Sequence, residues 1–180
     1  LKRAVLSTFD VNYPATLGFE FLLMHFQVNE LKIKLQIWDT CGQEMYRSLI
    51  QGFYRNTSLA LVVYDISNKM TFQAVEPWIK DIRDHIKEEI PLFIVGNKSD
   101  LERNVPLEDA QLYAKCNRAT YFTECSAKTG YNVIEIFLEA AKYLYKAYKL
   151  VKSQNKIPTT SGKLKIDSNN DDLHKKRRCC

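Results

Sequence analysis

Three short strings in this 180-residue chain gather residue types that can do chemistry. DTCGQ, at 39–43, sets an acid, a glycine and a carboxamide where the apolar alternation of the preceding segment stops. Asp39 there can hold a Mg²⁺ ion, directly or through water, because Mg²⁺ takes few carboxylates and keeps several waters. Gly42 has no side chain to keep its backbone N–H from a phosphate oxygen. Gln43 beside it is suited to orient an attacking water. The string is weak by itself, since a strand end followed by a polar loop produces it by chance.

GNKSD, at 96–100, is more specific. The Asn97 amide can meet the N7/O6 edge of a purine. The Asp100 carboxylate offers an acceptor pair that matches guanine N1–H and its 2-amino group, a donor pair adenine lacks. The aliphatic stem of Lys98 can lie on the base. The plain alternative is a charged loop between a strand and a helix. ECSAK, at 124–128, follows about one strand later. The backbone N–H of Ala127 can reach guanine O6, and Ser126 can brace the Asp100 loop.

These residues need elements to carry them. Leu31, Ile33, Leu35 and Ile37 alternate with Lys32, Lys34 and Gln36, which predicts a strand with one buried face. FEFLLMHFQV before it reads as a second strand, joined by a short turn at Asn29-Glu30. LALVVYD (59–65), PLFIVGN (91–97) and YFTECS (121–126) are short apolar runs expected of parallel strands covered on both faces. Phe72, Val75, Ile79, Ile82 and Ile86 predict a helix, interrupted or kinked by Pro77. Glu108 to Cys116 is a shorter helix. Ile134, Phe137, Leu138, Ala141, Leu144 and Tyr148 form one stripe of a long final helix, with Asn132 as N-cap and Glu135 in a capping-box position. Strands alternating with helices give an α/β fold whose ligands bind beyond the carboxyl ends of the strands. All three strings sit there.

Composition is that of one soluble domain with a tail: 21.0 kDa, 46% hydrophobic, 26% charged, net charge +5. No stretch of 18 apolar residues exists, and the first segment has no apolar core of a signal peptide. Five cysteines, at 41, 116, 125, 179 and 180, fit no metal pattern and read as free thiols of a reducing compartment, the terminal pair apart. From Val151 the polar composition predicts a disordered tail over 151–180. LKRAVLSTFD begins like the middle of a helix, so an incomplete N-terminus is expected.

The three strings, with TLGFEF (16–21), KLQIWDT (34–40), YRSL (46–49), FYRN (53–56) and VVYDIS (62–67), resemble those of small GTPases of the Ras superfamily, and closely the Rab family of vesicle-traffic GTPases. The similarity covers residues 1–150. It implies a P-loop NTPase-like small GTPase domain: a mostly parallel sheet with an antiparallel edge hairpin and helices on both faces. It implies a switch that binds GTP and GDP with Mg²⁺ and hydrolyses GTP. By that resemblance Phe9 packs edgewise on guanine, and Thr16 places its hydroxyl on Mg²⁺ and its N–H on the γ-phosphate. Asp39 joins the metal, Gln43 is catalytic, and Gly42, Asn97, Lys98, Asp100, Ser126, Ala127 and Lys128 bind the nucleotide. Phe21, Trp38 and Phe53 form the apolar triad that effectors read, core packing being the plain alternative. The implied partners are effectors, an exchange factor, a GTPase-activating protein, a prenylation escort and a GDP-dissociation inhibitor, with no nucleic acid. Cys179 and Cys180 resemble the doubly geranylgeranylated end of a Rab, which places the protein on the cytoplasmic face of endomembranes, cycling with cytosol.

Two departures bear on activity. Cys41 stands where alanine is usual and Met45 where arginine is common, which implies altered rates. The family's G-x-x-x-x-G-K-[ST] loop, with the central first strand, precedes the position of Leu1 and is missing from the sequence. That loop cradles the phosphates. The chain as given is therefore expected to hold GTP poorly, and the rival reading is a lipid-anchored interaction module without catalysis.

Overall fold

The structure is a computed structural model that describes residues 1–12, 14, 16, 18–42, 52, 54, 56–86 and 89–153. Gln43, Met45, Phe53, Cys179 and Cys180 lie outside the described residues. The element order is α1 (Lys2–Leu6), β1 (Phe19–Val28), β2 (Leu31–Thr40), β3 (Ala60–Asp65), α2 (Lys69–Gln73), α3 (Val75–His85), β4 (Leu92–Asn97), α4 (Leu107–Cys116), β5 (Tyr121–Glu124) and α5 (Val133–Ser153). The last helix runs three residues beyond the domain boundary drawn at 150.

β1 and β2 pair antiparallel from Phe19↔Thr40 to Val28↔Leu31, and Asn29 turns the chain in the left-handed region at φ 52°. Alternation then decides the faces. Ile33 and Leu35 are buried, while Lys32 and Gln36 are exposed. β3, β4 and β5 form a parallel sheet in that order. The hairpin is not hydrogen-bonded to it, so the described residues make an antiparallel hairpin and a three-stranded parallel sheet, as a fold of this class without its first strand should. No strand among the described residues lies between β2 and β3.

β4 is buried along Leu92–Gly96, as a central parallel strand should be. Its residues divide between two cores. Phe93 and Val95 join Ile33, Leu35, Ile136 and Phe137 on the hairpin side. Leu92 and Ile94 join Val62, Tyr64, Val75 and Ile79 on the other. Each fully buried large apolar side chain contributes about 1.5–3 kcal/mol relative to exposure. β3 departs from the expectation of two covered faces. Val63 stands 55% exposed, because β3 is a sheet edge.

The expected interruption at Pro77 is present: α2 ends at Gln73 and α3 starts at Val75, with Pro77 its third residue, in a first turn whose N–H groups need no intrahelical partner. Ala74 N donates to Met70 O at 3.0 Å at the break. Two local expectations are corrected. Asn132 is no ordinary N-cap. It sits at φ 55°, and its Nδ2 donates to Glu124 O at 2.9 Å, tying the helix start to the end of β5. Ile134 is 43% exposed, and the buried face of α5 is Val133, Ile136, Phe137, Ala140 and Ala141. No helix among the described residues is long and apolar enough to cross a membrane.

Candidate functional site

The carboxyl ends of β4 and β5 open into GNKSD and ECSAK, and the two loops are laced together. Cys125 N donates to Gly96 O at 2.8 Å and Ser99 N to Cys125 O at 3.0 Å, extending the sheet contact past the strands. The Ser126 hydroxyl, 1% exposed, donates to Asp100 Oδ1 at 2.5 Å. That bond, with smaller help from the Lys128 ammonium 3.8 Å from Oδ2, holds the Asp100 carboxyl below the usual carboxylate range. An ionised carboxylate is the state that accepts from a donor pair.

Asn97 Oδ1 accepts from Ala127 N at 3.1 Å and from Cys125 Sγ at 3.6 Å. Burial pushes the Cys125 thiol up to about 11, so it remains a donor. Two results follow. The amide is oriented so that its nitrogen is the group a purine N7 can use. The Ala127 N–H, expected to meet guanine O6, already has an acceptor and would have to share or exchange it.

Lys98 adopts φ 64°, a left-handed conformation that is uncommon for a side chain of this size. Its ammonium lies 2.6 Å from Asp65 Oδ2 at the end of β3. Burial raises the Asp65 pKa, but hydrogen bonds from Lys98 and Ser67 outweigh it and the net shift is downward. Asp65 was missed by sequence reasoning. The signal was present in VVYDIS: an acid at a strand end, paired with Asn97 at the end of the neighbouring strand.

A second cluster brings Thr16 and Asp39 together, with the hydroxyl donating to Asp39 Oδ2 at 3.3 Å. Burial pushes the Asp39 carboxyl up, offset in part by the Thr16 bond. A desolvated carboxylate beside a hydroxyl is a pair of hard oxygens, which suits Mg²⁺. Among the described residues no three His, Cys, Asp or Glu converge. Cys41 is 1% exposed and accommodated, its N donating to Gly18 O at 2.8 Å. Among the described residues, a Cβ on Gly42 would meet nothing within 4 Å.

Phe9 lies 44% exposed in the segment after α1. An interaction invisible in the sequence connects this segment to the site. Arg3 Nε donates to Ala127 O at 2.8 Å, Nη2 donates to Lys128 O, and Nη1 donates to Ser7 O at 2.8 Å. Arg103 grips Glu124 through both carboxylate oxygens, at 2.7 and 2.5 Å, and holds the loop after β4 to the end of β5. A cavity of about 460 Å³, lined by both apolar and charged side chains, lies elsewhere, at the amino end of β4 beside Leu92 and Cys116.

Phe21 and Trp38 are cross-strand partners on the hairpin, 41% and 45% exposed, with ring centroids 4.7 Å apart. They are surface residues, which removes core packing as their explanation.

Comparison with known proteins now adds to this geometry. The model of the Ras family matches residues 1–146. The chain is 41% identical over 148 residues to Ras-related protein Rab11B of Nicotiana tabacum, covering 81% of this chain and 68% of that protein. It is 40% identical, with the same coverage, to Ras-related protein RABA1g of Arabidopsis thaliana. It is also 40% identical over 149 residues to Ras-related protein rab-11.1 of Caenorhabditis elegans, covering 82% of this chain and 70% of that protein.

Proposed function

Because the chain belongs to the Ras family, and within it to the Rab small GTPases of vesicle trafficking, we propose that its two laced loops read a guanine base and that the Thr16–Asp39 cluster serves the phosphates. The observation that carries this reading is the Ser126–Asp100 bond, which presents an ionised carboxylate at the sheet edge beside Asn97. Asp100 accepts from guanine N1–H and the 2-amino group. Asn97 Nδ2 donates to N7, the stem of Lys98 covers one ring face, and Phe9 meets the ring edge. Lys128 supports Asp100. Ser126 acts through Asp100.

Thr16 Oγ1 and Asp39 would hold Mg²⁺, which neutralises charge on the phosphates when bound. Gly42 N–H receives a γ-phosphate oxygen in the open space beside it, and Gln43 orients the attacking water. An activating protein supplies an arginine to the transition state. Hydrolysis removes the group that holds Thr16 and Gly42, and effectors at Phe21, Trp38 and Phe53 detect the change. Cys179 and Cys180 carry geranylgeranyl groups. Two chains anchor stably where one is marginal, and the basic run before them adds attraction to anionic lipid.

The test is Asp100→Asn. An amide can donate to the xanthine 2-carbonyl but cannot accept both guanine donors, so preference moves from GTP to XTP. Sites that pair buried polar groups reject unmatched analogues by roughly 10⁴-fold. Competition titration of the two nucleotides reads the change, and an unchanged preference for GTP removes the base-reading assignment.

A further inference from the structure

The loop after β5 is closed partly from within and partly by a residue near the other end of the chain. Ser126 O accepts from Gly130 N at 2.8 Å, Ser126 N donates to Tyr131 O at 3.0 Å, and Thr129 N donates to the Ser126 hydroxyl at 3.1 Å. The next two carbonyls, Ala127 O and Lys128 O, are met by the half-buried Arg3, through Nε and Nη2. Its Nη1 donates to the carbonyl of Ser7, the residue that ends α1 in the left-handed region at φ 57°. The Arg3 stem passes over Gly130, which turns the loop at φ 89°; Cδ and Nε lie 3.9 Å from where a Cβ would stand. One planar guanidinium thus joins the start of the segment that carries Phe9 to the loop that carries Ala127 and Lys128.

We infer that Arg3 is a positioning residue for the base: it makes Phe9 and the Ala127–Lys128 loop one clamp, and so sets how long a guanine nucleotide stays bound. The inference rests on the base-reading assignment and adds to it a residue that acts through others. A peptide unit is planar, so fixing its oxygen also fixes its nitrogen. The unit before Ala127 is held by Gly130 N at the Ser126 oxygen and by Asn97 Oδ1 at Ala127 N. The unit after it is held by Arg3 at the Ala127 oxygen. Both planes around Ala127 are then set, and with them the backbone path to Lys128, the partner of Asp100. On the other side Ser7 lies two residues before Phe9, so the Nη1 bond fixes the point from which Phe9 reaches the ring. A guanidinium makes all three bonds from one rigid plane, and charge-assisted bonds are about twice as strong as neutral ones. A lysine ammonium is a point charge without that fork, so it can hold a carbonyl but not brace both segments at once. GDP and GTP present the same base to this clamp, which therefore acts on both alike.

Release of ribose-labelled fluorescent GDP and GTP from the purified full chain, chased with unlabelled nucleotide, tests this. Arg3→Ala releases both about tenfold faster and by the same factor, the size expected when a charge-assisted hydrogen bond is lost. Arg3→Lys keeps the charge and the stem over Gly130, and its release rate lies between those of Arg3→Ala and the parent. It is also the variant to read should Arg3→Ala not fold. A double-mutant cycle with Phe9→Ala separates positioning from a general loosening of the fold. The double variant releases nucleotide more slowly than the product of the two single effects requires, because each change disables the same clamp. Release at the parent's rate from Arg3→Lys or Arg3→Ala, or single effects that multiply in the double variant, overturns the inference. Base reading then still stands if the parent prefers GTP to XTP. A parent that binds the two equally, or binds neither, overturns the base-reading assignment and this inference with it.

Discussion

Gly96→Ala adds one methyl group beneath the base-reading loop, and the structure sets its cost. The new Cβ falls 2.8 Å from Ile66 Cγ2, 2.8 Å from the Tyr64 hydroxyl oxygen and 3.0 Å from Tyr64 Cζ. Carbon contacts settle at about 3.5–4.0 Å, so the Ile66 methyl is about 0.7 Å too near. Neither neighbour can yield cheaply. Ile66 is 1% and Tyr64 2% exposed, and the Tyr64 ring stacks on Phe72 at 5.0 Å, which in turn meets Tyr113 at 5.2 Å. Overpacking of this kind costs about 1–3 kcal/mol. At about 2–4 °C per kcal/mol for a domain of this size, the melting midpoint falls by about 2–12 °C. The strain is delivered next to Asn97, and Gly96 O is also the acceptor for Cys125 N, so guanine-nucleotide affinity falls with stability. Thermal and urea unfolding followed by circular dichroism measure the first effect, and nucleotide titration the second. Tyr64→Phe removes one of the clashing atoms, and the Tyr64 hydroxyl has no hydrogen-bond partner among the described residues. The double variant Gly96→Ala/Tyr64→Phe is therefore more stable than the sum of the single changes, by a coupling of about 0.5–3 kcal/mol. A Gly96→Ala protein that melts with the parent, or a strictly additive double variant, refutes the packing account.

Gln43→Leu leaves GTP affinity nearly intact and slows single-turnover phosphate release, because its proposed role is to orient water; equal rates make Gln43 a bystander. Ser126→Ala removes the bond that chiefly lowers the Asp100 pKa. A carboxylate with a depressed pKa keeps its ionised contacts above its ordinary value and loses them only as pH falls through the lowered one. Nucleotide affinity of the variant therefore begins to fall at a higher pH than that of the parent during acid titration, and coincident curves contradict the assignment.

The elements were legible where one period dominated. Leu31 to Ile37 alternate without exception, and β4 is one apolar run, so no competing assignment existed. The final helix was legible as a helix but not in its rotation. Val133 and Ile134 are both apolar, and only the hairpin and sheet packed against α5 decide that Val133 is buried and Ile134 is not. Asn132 had the right type for a cap, but Glu124 O competes for its amide. In the site, the residues found from sequence lie within contiguous strings. Those missed act across distance: Arg3 meets Ala127 O at a separation of 124 residues. Its acceptors are backbone carbonyls, which every residue has, so the partners leave no mark on the sequence.

The two clusters differ in how they are held, and that difference fits a switch. The base side is prebuilt from within: Ser126 on Asp100, Ala127 and Cys125 on Asn97, Arg3 on Ala127 and Lys128, and Arg103 on Glu124. Among the described residues, the phosphate side shows a 3.3 Å bond between Thr16 and Asp39. A ligand shifts a conformational equilibrium only by its differential interaction with the two states. GTP and GDP carry the same base, so in the proposed reading Asn97 and Asp100 cannot report which is bound. Discrimination must then come from the group the two nucleotides do not share, and the proposed reading assigns it to Thr16, Asp39 and Gly42. Asp39 is the next residue after Trp38 on β2, and Thr16 is three residues before Phe19, so the proposed phosphate cluster adjoins the exposed aromatic residues of the hairpin in sequence.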